Sequence, residues 1–245
     1  MLVQDFGDHR IVFDPNDDPI GKTILESGSW HRPQFESILA ALRGAGRLAD
    51  RKIFLDVGAN IGTQTIYALA SGAFSRVMAI EPDAANLRTL QMNVILNGFE
   101  DRVDIVRAAA GDAMGTLYLN ASETNSGGHK VADTPNGVRS APVKVVTIES
   151  VLRERRLDPD QFGMLWVDVE GFEPEAVAGM SPIIECAIPL CVEFNALVYG
   201  QTKAREFFSY LAKHYTRAAV VSDRMQFRPV SELATPERTV DILFA

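Results

Sequence analysis

The sequence predicts an α/β protein with a mostly parallel sheet covered by helices. Short β-rich runs alternate with amphipathic helical runs, the order that strand–helix–strand crossovers impose. Most of the β-rich runs are apolar throughout, as strands covered on both faces must be. With 245 residues and 47% hydrophobic residues, the chain can bury one large core.

The elements follow in order. Residues 1–50 read as an N-terminal segment that packs on or caps the site. Within it, "WHRPQFESILAALRGAG" reads as one helix, entered through Pro33 and stopped at Gly44 to Gly46. Residues 51–245 read as the main domain, with strands expected at 53–57, 76–80, 103–107, 164–169, 189–194, 217–222 and 240–244. Between the second and third, "DAANLRTLQMNVILNG" puts Leu87, Leu90, Val94 and Ile95 on one helical stripe and stops at Asn97-Gly98. "KAREFFSYLAKHY" repeats the design with Phe207, Phe208 and Leu211. One stretch breaks the rhythm: 119–142 is polar and rich in Gly, Ser and Asn, flanked by the β-like "GTLYL" and "VKVVT". It reads as a hairpin beside the sheet with a mobile tip, the kind of excursion that serves as a lid or binding element.

Composition excludes several classes. A formal charge of −8 and a pI near 5.1 oppose a general affinity for nucleic acid backbones. The densest basic run, "RERR" at 153–156, reads as a solvated helix end. Cys186 and Cys191 are the only cysteines and form no CxxC pair, which argues against structural zinc or a disulfide framework. No apolar run approaches the roughly 20 residues that span a bilayer, and "MLVQDFGDHR" lacks the order of a signal peptide. The expectation is a soluble, cytoplasmic protein that binds no membrane.

The stretch "IFLDVGANIGTQT" carries the first functional signal. A strand ends at Asp56, the chain turns through Gly58, and a helix starts near Gly62, so backbone N–H groups face a ligand. The dinucleotide fingerprint GxGxxG is matched poorly, because Asn60 stands where its second glycine would be. Asp56 beside the turn would repel a pyrophosphate and favour a cation. Glu81 ends the next strand, in the range of about 20 residues after the turn at which an acid takes ribose hydroxyls. A ribose joined to a cationic amino acid describes S-adenosylmethionine. Glu81 would take the ribose and Asp56 the amino acid end. "AAAGD", ending in Gly111 and Asp112, would wall the adenine, with Asp112 at its exocyclic amine. The residues expected at the cofactor are therefore Asp56, Gly58, Ala59, Asn60, Gly62, Thr63, Glu81, Pro82, Ala110, Gly111, Asp112 and Asp168.

At this point "FLDVGANIGTQTIYAL", "VMAIEPDAANLRTLQMNVILNG", "AAAGDAMGTLYL" and "LWVDVEGFEPEAVAGM" resemble, in that order and over roughly 30–193, the FkbM family of S-adenosylmethionine-dependent methyltransferases. The resemblance implies the class I methyltransferase (Rossmann-like) fold, a seven-stranded sheet with its last strand antiparallel. It also implies methylation of hydroxyl oxygens on sugars, glycans and polyketide-type natural products. The chain departs from the family at Trp166, where members often carry Lys, so no catalytic role of that lysine carries over.

Methyl transfer from a sulfonium to a hydroxyl is an in-line displacement, so oxygen, methyl and sulfur must be aligned and the hydroxyl proton removed. "VDVEGFE" sets Asp168 and Glu170 at an extended strand end, where ligands of open α/β sheets sit, with Glu173 just beyond. Asp168 reads as base or acceptor-positioning group and Glu170 as a second candidate; alternatively one of these acids caps the following helix, a reading that suits Glu173 best. His129 in "SGGHK" reads as a base reaching in from the excursion. Glu193 faces the acceptor or caps a strand turn, and Glu26 and Trp30 either close over the methionine end or, for Trp30, anchor packing. The acids could gather magnesium, but no spacing demands it, and no metal is expected. Two other functions stay on the table: an NAD-dependent oxidoreductase, disfavoured by Asp56 and Asn60, and a non-catalytic cofactor-binding module, which Trp166 leaves open.

Overall fold

A computed structural model describes residues 1–48, 53–136, 139–222, 225–233, 236 and 238–245. The expected boundary between residues 50 and 51 lies outside them. The chain starts with a hairpin, β1 (Leu2–Asp5) and β2 (Arg10–Phe13), then helices α1 (Ile20–Ser27) and α2 (Arg32–Gly44). Crossovers follow: β3 (Ile53–Val57), α3 (Thr63–Ala70), β4 (Arg76–Ile80), α4 (Ala84–Leu96) and β5 (Val103–Val106). Four strands interrupt them: β6 (Ala109–Ala110), β7 (Gly115–Asn120), β8 (Lys130–Ala132) and β9 (Ser140–Val146). The sheet resumes through α5 (Ile148–Arg155), β10 (Phe162–Val167), α6 (Glu173–Ala178), α7 (Ser181–Glu185), β11 (Leu190–Phe194), α8 (Ala196–Tyr199) and α9 (Gln201–Leu211). It ends with β12 (Arg217–Val220), β13 (Arg228–Pro229) and β14 (Val240–Phe244).

The central sheet runs β13-β12-β14-β11-β10-β3-β4-β5. Its five strands from β11 to β5 are parallel, and β14 runs antiparallel between β11 and β12. All seven expected strands are present, and a two-residue β13 extends the edge. Helices bury both faces, and β10 shows why its run is apolar throughout. Leu165 and Val167 enter the core under α5, α6 and α9, while Met164 and Trp166 enter the opposite core under α2, α3 and α4. Trp166 is thus a core residue, its ring 6.1 Å from that of Phe35.

Two regions differ from expectation. The N-terminal segment holds a hairpin and a second helix besides the expected one. β2 pairs with β1 on one side only; on the other, side chains of α4 imitate a strand. Asn93 accepts from the Val12 amide at 2.5 Å and donates to the Val12 carbonyl at 3.1 Å, and Asn97 serves both backbone groups of Arg10 at 2.8 and 2.7 Å. Because Asn93 and Asn97 turn toward β2, Ile95 is rotated off the expected stripe and is exposed.

The polar excursion is the second difference. It belongs to a four-stranded sheet ordered β6-β9-β7-β8, in which β7 and β9 pair from Gly115↔Val145 to Asn120↔Ser140. The loop from β7 to β8 is tied down. The Ser126 amide and hydroxyl donate to Asp17 at 2.8 and 2.5 Å, and the Asn86 side chain donates to the Ser126 carbonyl at 2.9 Å.

Candidate functional site

β3 ends at Val57, and the chain turns through Gly58 with φ +83°. An added Cβ there would lie 1.8 Å from the Asp168 carbonyl oxygen, so glycine alone lets the ends of β3 and β10 close together. The turn aims the Asn60 amide at Glu81, which ends the neighbouring strand. Oε2 of Glu81 accepts from that amide at 2.8 Å, and Oε1 accepts from the Asp83 amide at 2.8 Å. Asp83 in turn caps α4 through the amides of Ala85 and Asn86. Glu81 is buried, and burial pushes its carboxyl up to about 7.

A cavity of about 290 Å³ opens over these strand ends. The expected cofactor residues Gly58, Ala59, Asn60, Thr63, Glu81, Pro82, Ala110 and Asp168 line it, together with Ala108 and Ala109. Four others do not. Asp56 lies fully buried beneath the turn: Oδ2 accepts from the Thr65 hydroxyl at 2.6 Å, Oδ1 has no partner, and burial raises the carboxyl to about 7. It does not line the cavity. Gly62 opens α3 with φ +87°, packed on the Leu90 side chain. The Gly111 amide donates to the Val146 carbonyl, which draws the chain into the second sheet and leaves Asp112 exposed, so neither lines the cavity. Of the "AAAGD" stretch, Ala108–Ala110 line the cavity.

The catalytic candidates also separate. Asp168, Glu170, His129 and Glu193 line the cavity, and Glu173 does not. Glu173 is buried and committed: it accepts from the amides of Val169 at 2.9 Å and Gly171 at 3.0 and 3.1 Å, and from the Tyr199 hydroxyl at 2.7 Å. It clamps the turn on which Glu170 sits with φ +55°. His129 cannot serve as the expected base. Its Nδ1 accepts from the Ser122 amide at 3.1 Å, so the neutral ring carries its proton on Nε2 and has no lone pair to spare. Burial lowers its pKa and keeps it neutral. It faces the cavity as a donor.

Oxygens of Asp168, Glu173 and Glu193 lie within 4.8 Å of one another. Glu173 already accepts from the Val169 and Gly171 amides and the Tyr199 hydroxyl, so Asp168 and Glu193 are the members of this group that line the cavity. Burial and neighbouring acids raise the pKa of Asp168 and of Glu193.

In sequence, His31 reads as a weaker candidate base than His129, and Gln64 carries no signal. Both line the cavity, and His31 Nδ1 and Gln64 Oε1 are buried without a partner. His31 sits before α2 with φ 59°, stacked on Trp30 at 4.3 Å. Nothing in "WHRP" signals that conformation. Trp30 also lines the cavity, and Glu26 is exposed away from it.

The methyltransferase FkbM domain matches residues 56–218. In structure, the chain is similar to a methyltransferase FkbM from Methylobacillus flagellatus KT, with a TM-score of 0.53 and 20% identity, over 80% of this chain and 44% of that one. The chain therefore spans less than half the length of that protein. It is also similar to the O-methyltransferase TomG from Streptomyces achromogenes, involved in tomaymycin synthesis and solved in complex with SAM, with a TM-score of 0.51 and 13% identity over 96% of this chain and 90% of that one. These likenesses show the class I methyltransferase fold. No functionally curated protein matches the sequence.

Proposed function

Because the chain belongs to the FkbM methyltransferase family, we propose that it transfers a methyl group from S-adenosylmethionine to a hydroxyl oxygen of a sugar, glycan or polyketide-type natural product. The observation that carries this reading is Glu81. Each of its oxygens holds one backbone amide, the Asn86 side chain is a further partner, and the carboxyl lines the cavity where a ribose hydroxyl can donate to it, at the rim of a turn whose second fingerprint glycine is Asn60.

The cavity fits that nucleoside. Ala108–Ala110 offer a flat wall of small side chains for adenine, and the unpartnered oxygens of Gln64 and, from beneath, Asp56 favour the cationic amino acid end. When bound, S-adenosylmethionine supplies an electrophilic methyl group and leaves as S-adenosylhomocysteine. The chain's own residues do the rest. Glu81 and the Asn60 turn fix the nucleoside. Trp30, His31 and the tied loop carrying Ser126 and Gly127 close the cavity from the N-terminal and excursion sides and exclude water. Asp168, at the end of β10, takes the acceptor's hydroxyl proton on a carboxylate oxygen. The carboxylates here act without a metal ion.

The test is calorimetry of the purified protein with S-adenosylhomocysteine and with NADH, followed by incubation with labelled S-adenosylmethionine and a metabolite or glycan extract, read by mass spectrometry. Binding of S-adenosylhomocysteine and label on oxygen are expected. Preference for NADH would overturn the reading, and loss of turnover with a chelator would overturn its metal-free form.

A further inference from the structure

The acids at the acceptor end belong to three neighbouring strands, and the register explains how they meet. The last parallel pair of β10 and β11 is Val167↔Val192, so Asp168 and Glu193 stand side by side one residue further on. Glu193 is paired with Asp241 across β11 and β14. Residues paired in register point to the same face, so the three carboxyls form a row. Asp168 and Glu193 face the cavity at its inner end, with carboxylate oxygens within 4.8 Å. Among the described residues, neither carboxyl accepts a hydrogen bond from a protein donor.

The surroundings do not offset two negative charges. The groups facing the pair are Glu170 beside it, Glu173 from α6 and Asp241 from β14, with the neutral Cys191 thiol behind and the exposed Lys130 of β8 as the cation nearby. Two carboxylates this close, half-buried and without donors, cannot both ionise at modest cost.

Resting on the methyltransferase reading, we propose that Asp168 and Glu193 form one acid–base unit that holds a single proton at neutral pH and takes an uncharged or cationic acceptor carrying two neighbouring polar hydrogens, hydroxyl beside hydroxyl or hydroxyl beside ammonium. The protonated carboxyl donates to the acceptor, and the ionised one receives the hydroxyl proton. As that O–H bond breaks, the oxygen forms its bond to the methyl carbon, and the carbon–sulfur pair returns to sulfur. The extra proton then leaves the pair to solvent. The same charge excludes anionic acceptors such as phosphorylated sugars or nucleotide-linked sugars. Glu193 thereby becomes a catalytic residue that its isolated "CVEFN" context does not reveal.

The experiment needs no known acceptor. The carboxyl carbons of Asp168 and Glu193 are followed by 13C NMR between pH 4 and 10 in the protein saturated with S-adenosylhomocysteine, for wild type and Glu193→Gln. In wild type, the Asp168 carboxyl should show two inflections, each shared with Glu193. In Glu193→Gln it should titrate in one step, displaced downward by about one unit or more. Independent single-step curves in wild type overturn the proposal, even if the variant does not fold, and so does an unmoved Asp168 in the variant. Failure of S-adenosylhomocysteine to bind would instead sink the methyltransferase reading; the same titration on the free protein still decides whether the proton is shared. In the labelled assay, the extract is split by anion exchange. Label in the unretained fraction is expected, and label confined to the retained, anionic fraction overturns the acceptor class.

Discussion

The cavity has two ends, and their acids are in opposite states. Glu81 is buried but satisfied, with one backbone amide on each oxygen. Asp168 and Glu193 have each other and further acids. A preorganised carboxylate of the first kind suits binding, because its amides need not rearrange when a ligand arrives. Carboxyls of the second kind suit proton transfer, because two acids that crowd each other without donors can hold a proton between them and pass it on. The difference teaches where each task resides: recognition of the nucleoside in a local turn, chemistry in a row assembled across strands.

The sharpest way to break this division is Asp168→Asn. The substitution keeps size and polarity but removes the base, so the single-turnover rate with the true acceptor should fall on the order of 100-fold or more. Calorimetric affinity for S-adenosylhomocysteine should stay nearly intact. If affinity vanishes while circular dichroism shows an intact fold, Asp168 belongs to the nucleoside end and the boundary between the two ends is misplaced.

Glu81→Ala tests the other end. It removes a charged acceptor from the ribose hydroxyls and leaves the Asn60 and Asp83 amides unpaired. Affinity for S-adenosylhomocysteine should weaken roughly 10- to 100-fold, as hydrogen bonds to charged groups imply. The rate at saturating cofactor should change little. A rate loss matching that of Asp168→Asn would merge the two ends into one.

A smaller effect sharpens the same contrast through pH. Burial holds the Glu81 carboxyl near 7 in the free protein, and hydroxyls that donate to it favour the ionised form. Binding therefore releases a proton where the carboxyl is protonated. Affinity for S-adenosylhomocysteine should be constant well above pH 7 and weaken below it, by at most about tenfold per pH unit for one proton. Calorimetry in buffers of different ionisation enthalpy measures the proton directly, and Glu81→Gln should flatten the profile. An unchanged slope in that variant would move the titration to Asp56, the other buried acid held near 7.

The two ends also differ in how far they can be read from the sequence. The strand, the glycine turn and the acid ending the next strand lie between Ile53 and Glu81, and their order alone locates the nucleoside end. Asp56 was readable as present but not as covered, since only packing shows that Thr65 folds over it. At the acceptor end, Asp168 and Glu193 meet because β10 and β11 pair in one particular register, and a slip of one residue would turn them to opposite faces. No periodicity within either strand carries that information. The N-terminal hairpin was hidden for a related reason: β2 completes its hydrogen bonds on Asn93 and Asn97, residues that in sequence read only as the polar face and the stop of α4.

The smallest expected effect concerns Asp112, which the sequence places at the adenine and the structure places outside. The second sheet decides between them. With the Gly111 amide bound to the Val146 carbonyl and Gly179 packed against the Gly111 carbonyl, the backbone is fixed on both sides before it reaches Asp112. An added Cβ on Gly179 would stand 1.9 Å from that carbonyl, so the approach is close and the turn has no room to swing inward. Asp112 is therefore an exposed acid, and surface substitutions away from a site change free energies by only about 0.5 kcal/mol. Asp112→Ala should leave the affinity for S-adenosylhomocysteine within about twofold of wild type by calorimetry, at every pH from 6 to 8. A tenfold loss would mean that the turn after β6 closes onto the adenine when ligand binds. The nucleoside end would then be assembled by movement, as a lid, and its contrast with the acceptor end would rest on Glu81 alone.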